Sequence, residues 1–555
     1  MRNRSPQTAE KIRERLGERV LAGAPQWLAA TGPATRSNAL ALLIGTLLGR
    51  LPAEDVSALV YTILLEQNAD GSWSLDMDAA GDLSLTLEVV EALSTCGDSH
   101  AREALDKAVR WLERHRHSAR LSEETLILLS AVTEVVPGSL RRMLMPVARL
   151  FMLRSARKTM QTCAGGALPL ALSLLSRDKL SARGKGRRLL ELQLLDGSWE
   201  GSSRTTVFAL AALRHTALPL EDSAFERGWR FLRSLQLWDS EGLVQNPCDV
   251  SNILHATALR TLLVTAADQD VAAGSTLSLL HQARMSGGWA LGGMLPTDLL
   301  TSALALDALS FAGDVPVETS WARRRTVLLF LRAQNSDGGW PLYTDGWSKP
   351  LWPGKRYASR IDVTAAAVQA LAYSGVQEPG EEDAIARGLD FLLHRQTRRG
   401  LWRGDVNPSA VFATARTLEA LFAASNERAA DAVLRGAKAL IALQQTDGGW
   451  GESLDLPSTP QHTAWALRAL TGAPGVPQDV ITKAKFYLEA SVDRSELLWN
   501  STCPAWPLPL GEHPAVLADL VTMWALEALA PTGIISRSRI RGGTRSRSIF
   551  DRRSR

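Results

Sequence analysis

Six stretches of this chain close on a glycine-tryptophan turn: QNADGSW (67–73), QLLDGSW (193–199), QARMSGGW (282–289), QNSDGGW (334–340), QTRRGLW (396–402) and QQTDGGW (444–450). Each follows an amphipathic segment and leads on to a run rich in Ala and Leu: TLEVVEAL (86–93), TTVFALAAL (205–213), TSALALDAL (301–309), TAAAVQAL (364–371), TARTLEAL (414–421) and TAWALRAL (463–470). Asp-Gly and Gly-Gly supply a turn, because Gly accepts positive φ and Asp bonds its own backbone. Thr then opens the next helix as a cap or first-turn residue. Alternating β-branched runs, the mark of strands, are nearly absent. The repeating unit is helix, turn with Trp, helix, and it recurs from about residue 60 to about residue 530. Helix pairs stacked in this way make either an open solenoid or a closed α/α toroid. The repeat also accounts for seventeen Trp against five Tyr, as residues that lock turns against helix ends.

The rest of the composition sets limits. A chain of 555 residues is long enough for two or more cores. Its four Cys form no CxxC pair, which argues for a reducing compartment and against both a disulfide framework and a zinc–cysteine site. No apolar run is long enough for a membrane helix and no apolar stretch follows the charged start, so the expected location is cytoplasmic. The formal charge of +4 hides a division: residues 533–555 hold eight Arg against one Asp, so the remainder is mildly acidic. A basic tail on an acidic body does not indicate a nucleic-acid partner. It reads as a solvated end, or as a contact for anionic lipid. Residues 138–158, GSLRRMLMPVARLFMLRSARK, suit either a helix packed in the first domain or one resting on a membrane as a peripheral contact.

The Q-x-x-D-G-[SG]-W turn resembles the QW repeat of the squalene–hopene cyclase and class II terpene cyclase superfamily. GGWGESLDLPSTPQHTAWALRAL (448–470) resembles the C-terminal repeat of squalene–hopene cyclases. LWRGDVNPSAVFATARTLEAL (401–421) and GLVQNPCDVSNILHATALRTL (242–262) resemble segments of bacterial diterpene cyclases. The resemblance implies an all-α fold of two α/α-barrels and a prenyl substrate, most readily a diterpenoid diphosphate such as geranylgeranyl diphosphate. The expected organisation is an N-terminal helical extension over 1–55, a first barrel over 56–235, a second over 236–530, and an Arg-rich disordered tail over 531–555.

That family starts its reaction by protonating an alkene or epoxide with the central Asp of an Asp-X-Asp-Asp-Thr-Ala motif, an acid held protonated and aimed into a dry cavity. The matching place here reads PTDLLTSA (296–303). Asp298 falls on the first Asp, and the donor falls on Leu300, or on Leu299 if the register slips by one. Three explanations compete. The acid has moved, with Asp298 and with Asp362 in RYASRIDVTAAAVQAL as the carboxylates to consider, although a single Asp at a helix start is also a common cap. Alternatively the reaction begins by diphosphate ionisation, which needs Mg²⁺ or a cluster of cations. The loop PLYTDGWSKPLWPGKRYASR (341–360) offers Lys349, Lys355, Arg356 and Arg360 for diphosphate, with Trp347, Trp352 and Tyr357 beside them. Together with Phe412, these aromatics are candidates to stabilise a carbocation. In the third explanation the chain is a non-catalytic homologue that binds a prenyl chain or a protein. Zinc chemistry of the protein prenyltransferase kind is disfavoured: His462 resembles their zinc His, but Asp362 is followed by Val363 and Thr364 instead of a nearby Cys.

Overall fold

The structure, a computed structural model, describes residues 35–74, 80–115, 167–175, 182–199, 201–214, 223–238, 242–246, 251–265, 269–292, 297–312, 317–343, 358–404, 409–492 and 514–530. Residues 138–158 and the Arg-rich tail lie outside them. The described residues fall into two compact units, one ending at Asn246 and the other starting at Ser251.

The first unit contains α1 (Thr35–Leu47), α2 (Ala53–Leu65), α3 (Leu83–Cys96), α4 (Arg102–His115), α5 (Ala167–Leu175), α6 (Ala182–Glu191), α7 (Ser203–Arg214) and α8 (Ser223–Ser234). Helices α5, α7, α1 and α3 pack side by side in that order as an inner arc, and α6, α8, α2 and α4 lie against them. The short hairpin β1 (Gln236–Trp238) and β2 (Leu243–Gln245) stays with this unit. It is held there by Gln245 N donating to Asn38 Oδ1 at 2.7 Å and Thr62 Oγ1 donating to Leu243 O at 3.2 Å.

The second unit runs through α9 (Ser251–Val264), α10 (Gln269–His281), β3 (Trp289–Ala290), β4 (Thr297–Asp298), α11 (Leu299–Ser310), α12 (Val317–Ala333), α13 (Ile361–Tyr373), α14 (Glu381–His394), α15 (Ala410–Ala424), α16 (Ala430–Ile441), α17 (Pro460–Thr471), α18 (Gln478–Ser491) and α19 (Pro514–Leu529). The odd-numbered helices pack in chain order, and α19 returns to α9, so six inner helices close a ring. The even-numbered helices clad it from outside. Sequence explains the division of labour. Inner helices are Ala- and Leu-rich and buried on nearly every side, as in α13 from Ile361 to Leu371. Outer helices such as α16 bury one stripe, Ala432, Val433, Gly436, Ala437 and Leu440. Among the described residues no helix is long and apolar enough to cross a membrane.

The Trp turns are joints between consecutive helices. In all six, the indole N–H donates to the carbonyl ten residues earlier, at 2.7–2.8 Å: Trp73 to Ile63, Trp199 to Leu189, Trp289 to Leu279, Trp340 to Phe330, Trp402 to Leu392 and Trp450 to Leu440. All six rings are fully buried. A hydroxyl in the first turn of the next inner helix then accepts the Trp backbone N–H: Thr86, Thr206, Ser302, Thr364, Thr414 and Thr463. In five turns the leading Gln side chain donates to the turn glycine's carbonyl and to a carbonyl of the following outer helix, as Gln444 does to Gly448 O at 2.9 Å and Val480 O at 3.0 Å. Gly448 has φ of +90°, and a Cβ there would sit 2.7 Å from Lys483 O, so only glycine fits. The turn at Trp289 lacks the clamp, because Ala283 occupies the position that is Gln in the other five.

Candidate active site in the inner ring

The first-turn hydroxyl gives the inner helices that follow a Trp turn the same origin, and their side chains can be compared level by level. Ser302 is the residue of α11 that accepts the Trp289 N–H, at 2.9 Å. Leu300, one of the two places the resemblance gives for the family's central acid, stands two residues before this hydroxyl. At that level α13 carries Asp362, α15 Phe412 and α17 Gln461. Two residues past the hydroxyl stand Leu304, Ala366, Arg416 and Trp465, and five past it Asp307, Gln369, Glu419 and Arg468.

Inside the ring is a cavity of about 30 Å³, lined by residues of α9 (Ala256, Thr257, Arg260), α11 (Leu300, Leu304), α15 (Phe412, Arg416), α17 (Trp465, Arg468) and α19 (Trp524, Glu527). One wall is aromatic: Trp465 lies 4.6 Å from Phe412 and 5.2 Å from Trp524, centroid to centroid. Deeper, the polar level forms a buried network of ions. Glu527 accepts from Arg260, from Arg468 at 2.5 Å and from Thr261 Oγ1 at 2.9 Å. Glu419 accepts from Arg468 Nη2 at 2.8 Å and Arg416 Nη1 at 3.0 Å, while Asp307 stands 2.9 Å from Arg260 Nε and accepts from Gln369 Nε2 at 3.3 Å. Burial would raise the Glu419 carboxyl, but Arg468 and Arg416 outweigh it and hold it at about 2. Asp307 goes the other way: burial raises it against the pull of Arg260 and Arg416.

Of the residues singled out in the sequence, Asp298, Arg360, Asp362 and Phe412 fall within the described residues; Lys349, Lys355, Arg356, Tyr357, Trp347 and Trp352 lie outside them. Asp298 caps α11, its Oδ1 accepting the Thr301 N–H at 2.7 Å, while its buried Oδ2 has no hydrogen-bond partner. Its environment differs from that of an ordinary cap. Burial drives the carboxyl up to about 7, against the N–H groups of Thr301 and Leu300 that favour the anion. Arg360 precedes α13 and donates its N–H to Trp340 O at 2.8 Å, and Asp298 forms a backbone bridge with Tyr343. The segment from Trp340 to Tyr343 thus ties the starts of α11 and α13 together, bringing Asp298, Arg360 and Asp362 to one end of the ring. Asp362 is fully buried in the first turn of α13. Phe412 is 4% exposed and lines the cavity.

His462 is fully buried on α17, with Nδ1 2.8 Å from Thr459 Oγ1 and its ring edge-on to Trp465 at 5.4 Å. Burial lowers its imidazole to about 4. Among the described residues no group of three His, Cys, Asp or Glu could hold a metal ion. The ion network escaped the reading of the sequence, yet it left a signal: the residue before each Ala-Leu near the end of an inner helix is Asp307, Gln369, Glu419, Arg468 or Glu527. Aligned on the hydroxyl, these polar residues share one face of otherwise apolar helices.

Comparison with known proteins gives this arrangement relatives. Family models described as the squalene–hopene cyclase N-terminal domain and C-terminal domain match residues 25–143 and 357–505. A drimenyl diphosphate synthase of Streptomyces showdoensis is 29% identical over 248 residues, 43% of each chain. Another from Streptantibioticus cattleyicolor is 28% identical over 357 residues, 60% of this chain and 63% of that one. The squalene–hopene cyclase of Zymomonas mobilis is 26% identical over 39% of this chain and 36% of its own. The chain therefore spans less than two thirds of the length of each of these relatives. Among solved structures, ent-copalyl diphosphate synthase from Streptomyces platensis superimposes with a TM-score of 0.56 at 20% identity, covering 94% of this chain and 99% of that one, which is a likeness of fold.

Proposed function

Because the chain belongs to the squalene–hopene cyclase superfamily of terpene cyclases, we propose that it cyclises or rearranges a polyprenyl substrate, a diterpenoid diphosphate such as geranylgeranyl diphosphate, using an acid one helix away from the family's usual place. One observation carries this reading. Asp362 stands two residues before its first-turn hydroxyl, as Leu300 does on the neighbouring inner helix. Leu300 and Phe412, at that level on the helices flanking α13, both line the cavity.

In this reading Asp362 gives its proton to a terminal alkene. The electron pair of the alkene forms the new C–H bond and leaves a tertiary cation. The start of α13 stabilises the carboxylate left behind. The faces of Phe412, Trp465 and Trp524 stabilise the cation where water would quench it. A cavity of about 30 Å³ has room for little more than a water, so the reacting end of the chain enters only as Leu300, Phe412 and Trp465 yield. Asp298, with Oδ1 held by the helix, serves as the cap of α11 and is the second carboxyl to test. The cations of 349–360 remain our assignment for the diphosphate, and residues 138–158 for peripheral contact with a membrane that supplies the substrate.

A second reading rests on the same cavity. Its aromatic wall and its three arginines suit a homologue that binds a prenyl chain without turning it over. Incubation with geranylgeranyl diphosphate, farnesyl diphosphate and squalene, with and without Mg²⁺, separates the possibilities by mass spectrometry before and after phosphatase. A cyclised product that keeps its diphosphate, and is lost in Asp362→Asn, supports the acid. A hydrocarbon or alcohol released from a diphosphate without phosphatase, and only with Mg²⁺, replaces it with ionisation. No product from any substrate favours the binding protein.

A further inference from the structure

A carbocation made in this ring has to be discharged, and one buried side chain packed against the cavity-lining Trp465 is suited to take the proton. His462 and Trp465 are three residues apart on α17, hence on one face, and the ring contact of 5.4 Å at 80° puts the imidazole edge-on to a residue that lines the cavity. His462 is fully buried, and its Nε2 has no hydrogen-bond partner. A buried polar atom left in this way costs stability unless something else uses it. The other nitrogen is engaged. Thr459 is the N-cap of α17, and its Oγ1 accepts the His462 backbone N–H at 3.2 Å and stands 2.8 Å from Nδ1. In the tautomer that the role below requires, Nδ1 donates to Oγ1 and Nε2 keeps its lone pair. His462 follows Gln461, which shares the level of Asp362, and the intervening inner helix α15 carries Phe412.

We propose that His462 is the proton acceptor that ends the cyclisation, a role that rests on the cyclase reading above. A C–H bond beside the cationic carbon breaks, its electron pair becomes the C=C bond of the product, and the proton passes to Nε2. The imidazolium then gives its proton to water. Burial holds the imidazole neutral down to about pH 4, so it is ready to accept across the physiological range and releases the proton easily afterwards. The product class is thus an alkene formed by proton loss, in preference to an alcohol formed by water capture.

The test is the product spectrum of His462→Asn and His462→Gln against the wild type, with geranylgeranyl diphosphate, farnesyl diphosphate and squalene as the probes. Asn keeps a nitrogen near the place of Nδ1, and Gln fills more of the ring volume; neither offers a basic atom. Substrate consumption is expected to persist, while the ratio of the wild-type alkene to alcohols and double-bond isomers falls by about a hundredfold, the low end of what a positioned base contributes. A variant that keeps its thermal transition and returns the wild-type ratio overturns the proposal alone, as does a wild-type product that is an alcohol. A wild type that consumes none of the probes overturns the cyclase reading and this role with it.

Discussion

Arg260 and Glu527, 267 residues apart in the chain, form an ion pair that joins the first and last inner helices of the second unit. Arg468 binds the same carboxylate from α17, so Glu527 is the point where three inner helices meet. Its removal leaves two buried guanidinium groups short of a partner. Glu527→Ala is expected to destabilise the second unit by about 3–5 kcal/mol, as for one half of a buried pair, with Glu527→Gln somewhat milder. Chemical denaturation measures this directly. A loss below about 1 kcal/mol, the size of an exposed pair, would mean that the network does not hold the ring shut.

The buried carboxyls give stability opposing pH dependences. Glu91, buried on helix α3 of the first unit, has both oxygens unpartnered and is raised by burial from 4.5 to about 7. Asp298 in the second unit is raised from 3.8 to about 7. A carboxyl whose folded pKa is raised favours the folded state most at low pH, and that advantage declines as the pH climbs from the ordinary value to about 7. Glu91→Gln should therefore remove a decline of about 3 kcal/mol at most between these limits. Glu419, held at about 2 by its arginines, acts in the opposite sense: its contribution is full above 4.5 and is lost as pH falls toward 2. Denaturation midpoints of wild type and Glu91→Gln between pH 4.5 and 8 provide the check, and parallel curves would refute the assignment.

Ala283 marks a joint that can be improved. In the other five turns the leading Gln reaches a carbonyl three residues before the one that crowds the turn glycine, as Gln396 reaches Ala432 where Gly400 abuts Arg435. At Gly287 the abutting residue is Arg325, so the corresponding carbonyl is that of Ala322. Ala283→Gln should add the missing bonds and stabilise by about 0.5–1.5 kcal/mol. Thermal melting decides, and an unchanged or lower midpoint counts against the geometric equivalence of the six turns.

If the level in the ring decides where an acid works, the acid can be moved. Asp362→Leu should abolish product formation, and adding Leu300→Asp should return part of it by restoring a carboxyl to the same level on α11. The double variant is expected to be the better folded of the pair formed by it and Leu300→Asp alone, since the latter buries a second carboxyl. Turnover with geranylgeranyl diphosphate reads the result. Activity retained in Asp362→Leu would remove Asp362 from the mechanism.

Much of this protein is written locally. The Gln, Gly and Trp of each turn make contacts within about ten residues or to the next outer helix, and the hydroxyl that accepts the Trp N–H opens the next inner helix. Such short-range bonds repeat wherever the residues repeat, which is why the all-helical pairs and their joints could be read from the chain alone. The exception at Ala283 was in plain view as well.

Closure and chemistry needed the third dimension. Nothing near Arg260 in the sequence points to Glu527, because their attraction depends on a ring that brings the first inner helix to the last. The same holds for Asp298: a helix cap ordinarily favours the carboxylate anion, and only enclosure, which strips water from the carboxyl, raises it to about 7. The sequence by itself determined the repeating joint, through hydrogen bonds between near neighbours. The tertiary structure decided which charged residues share a level inside the ring, because burial and long-range pairing are properties of the closed assembly and not of any one repeat.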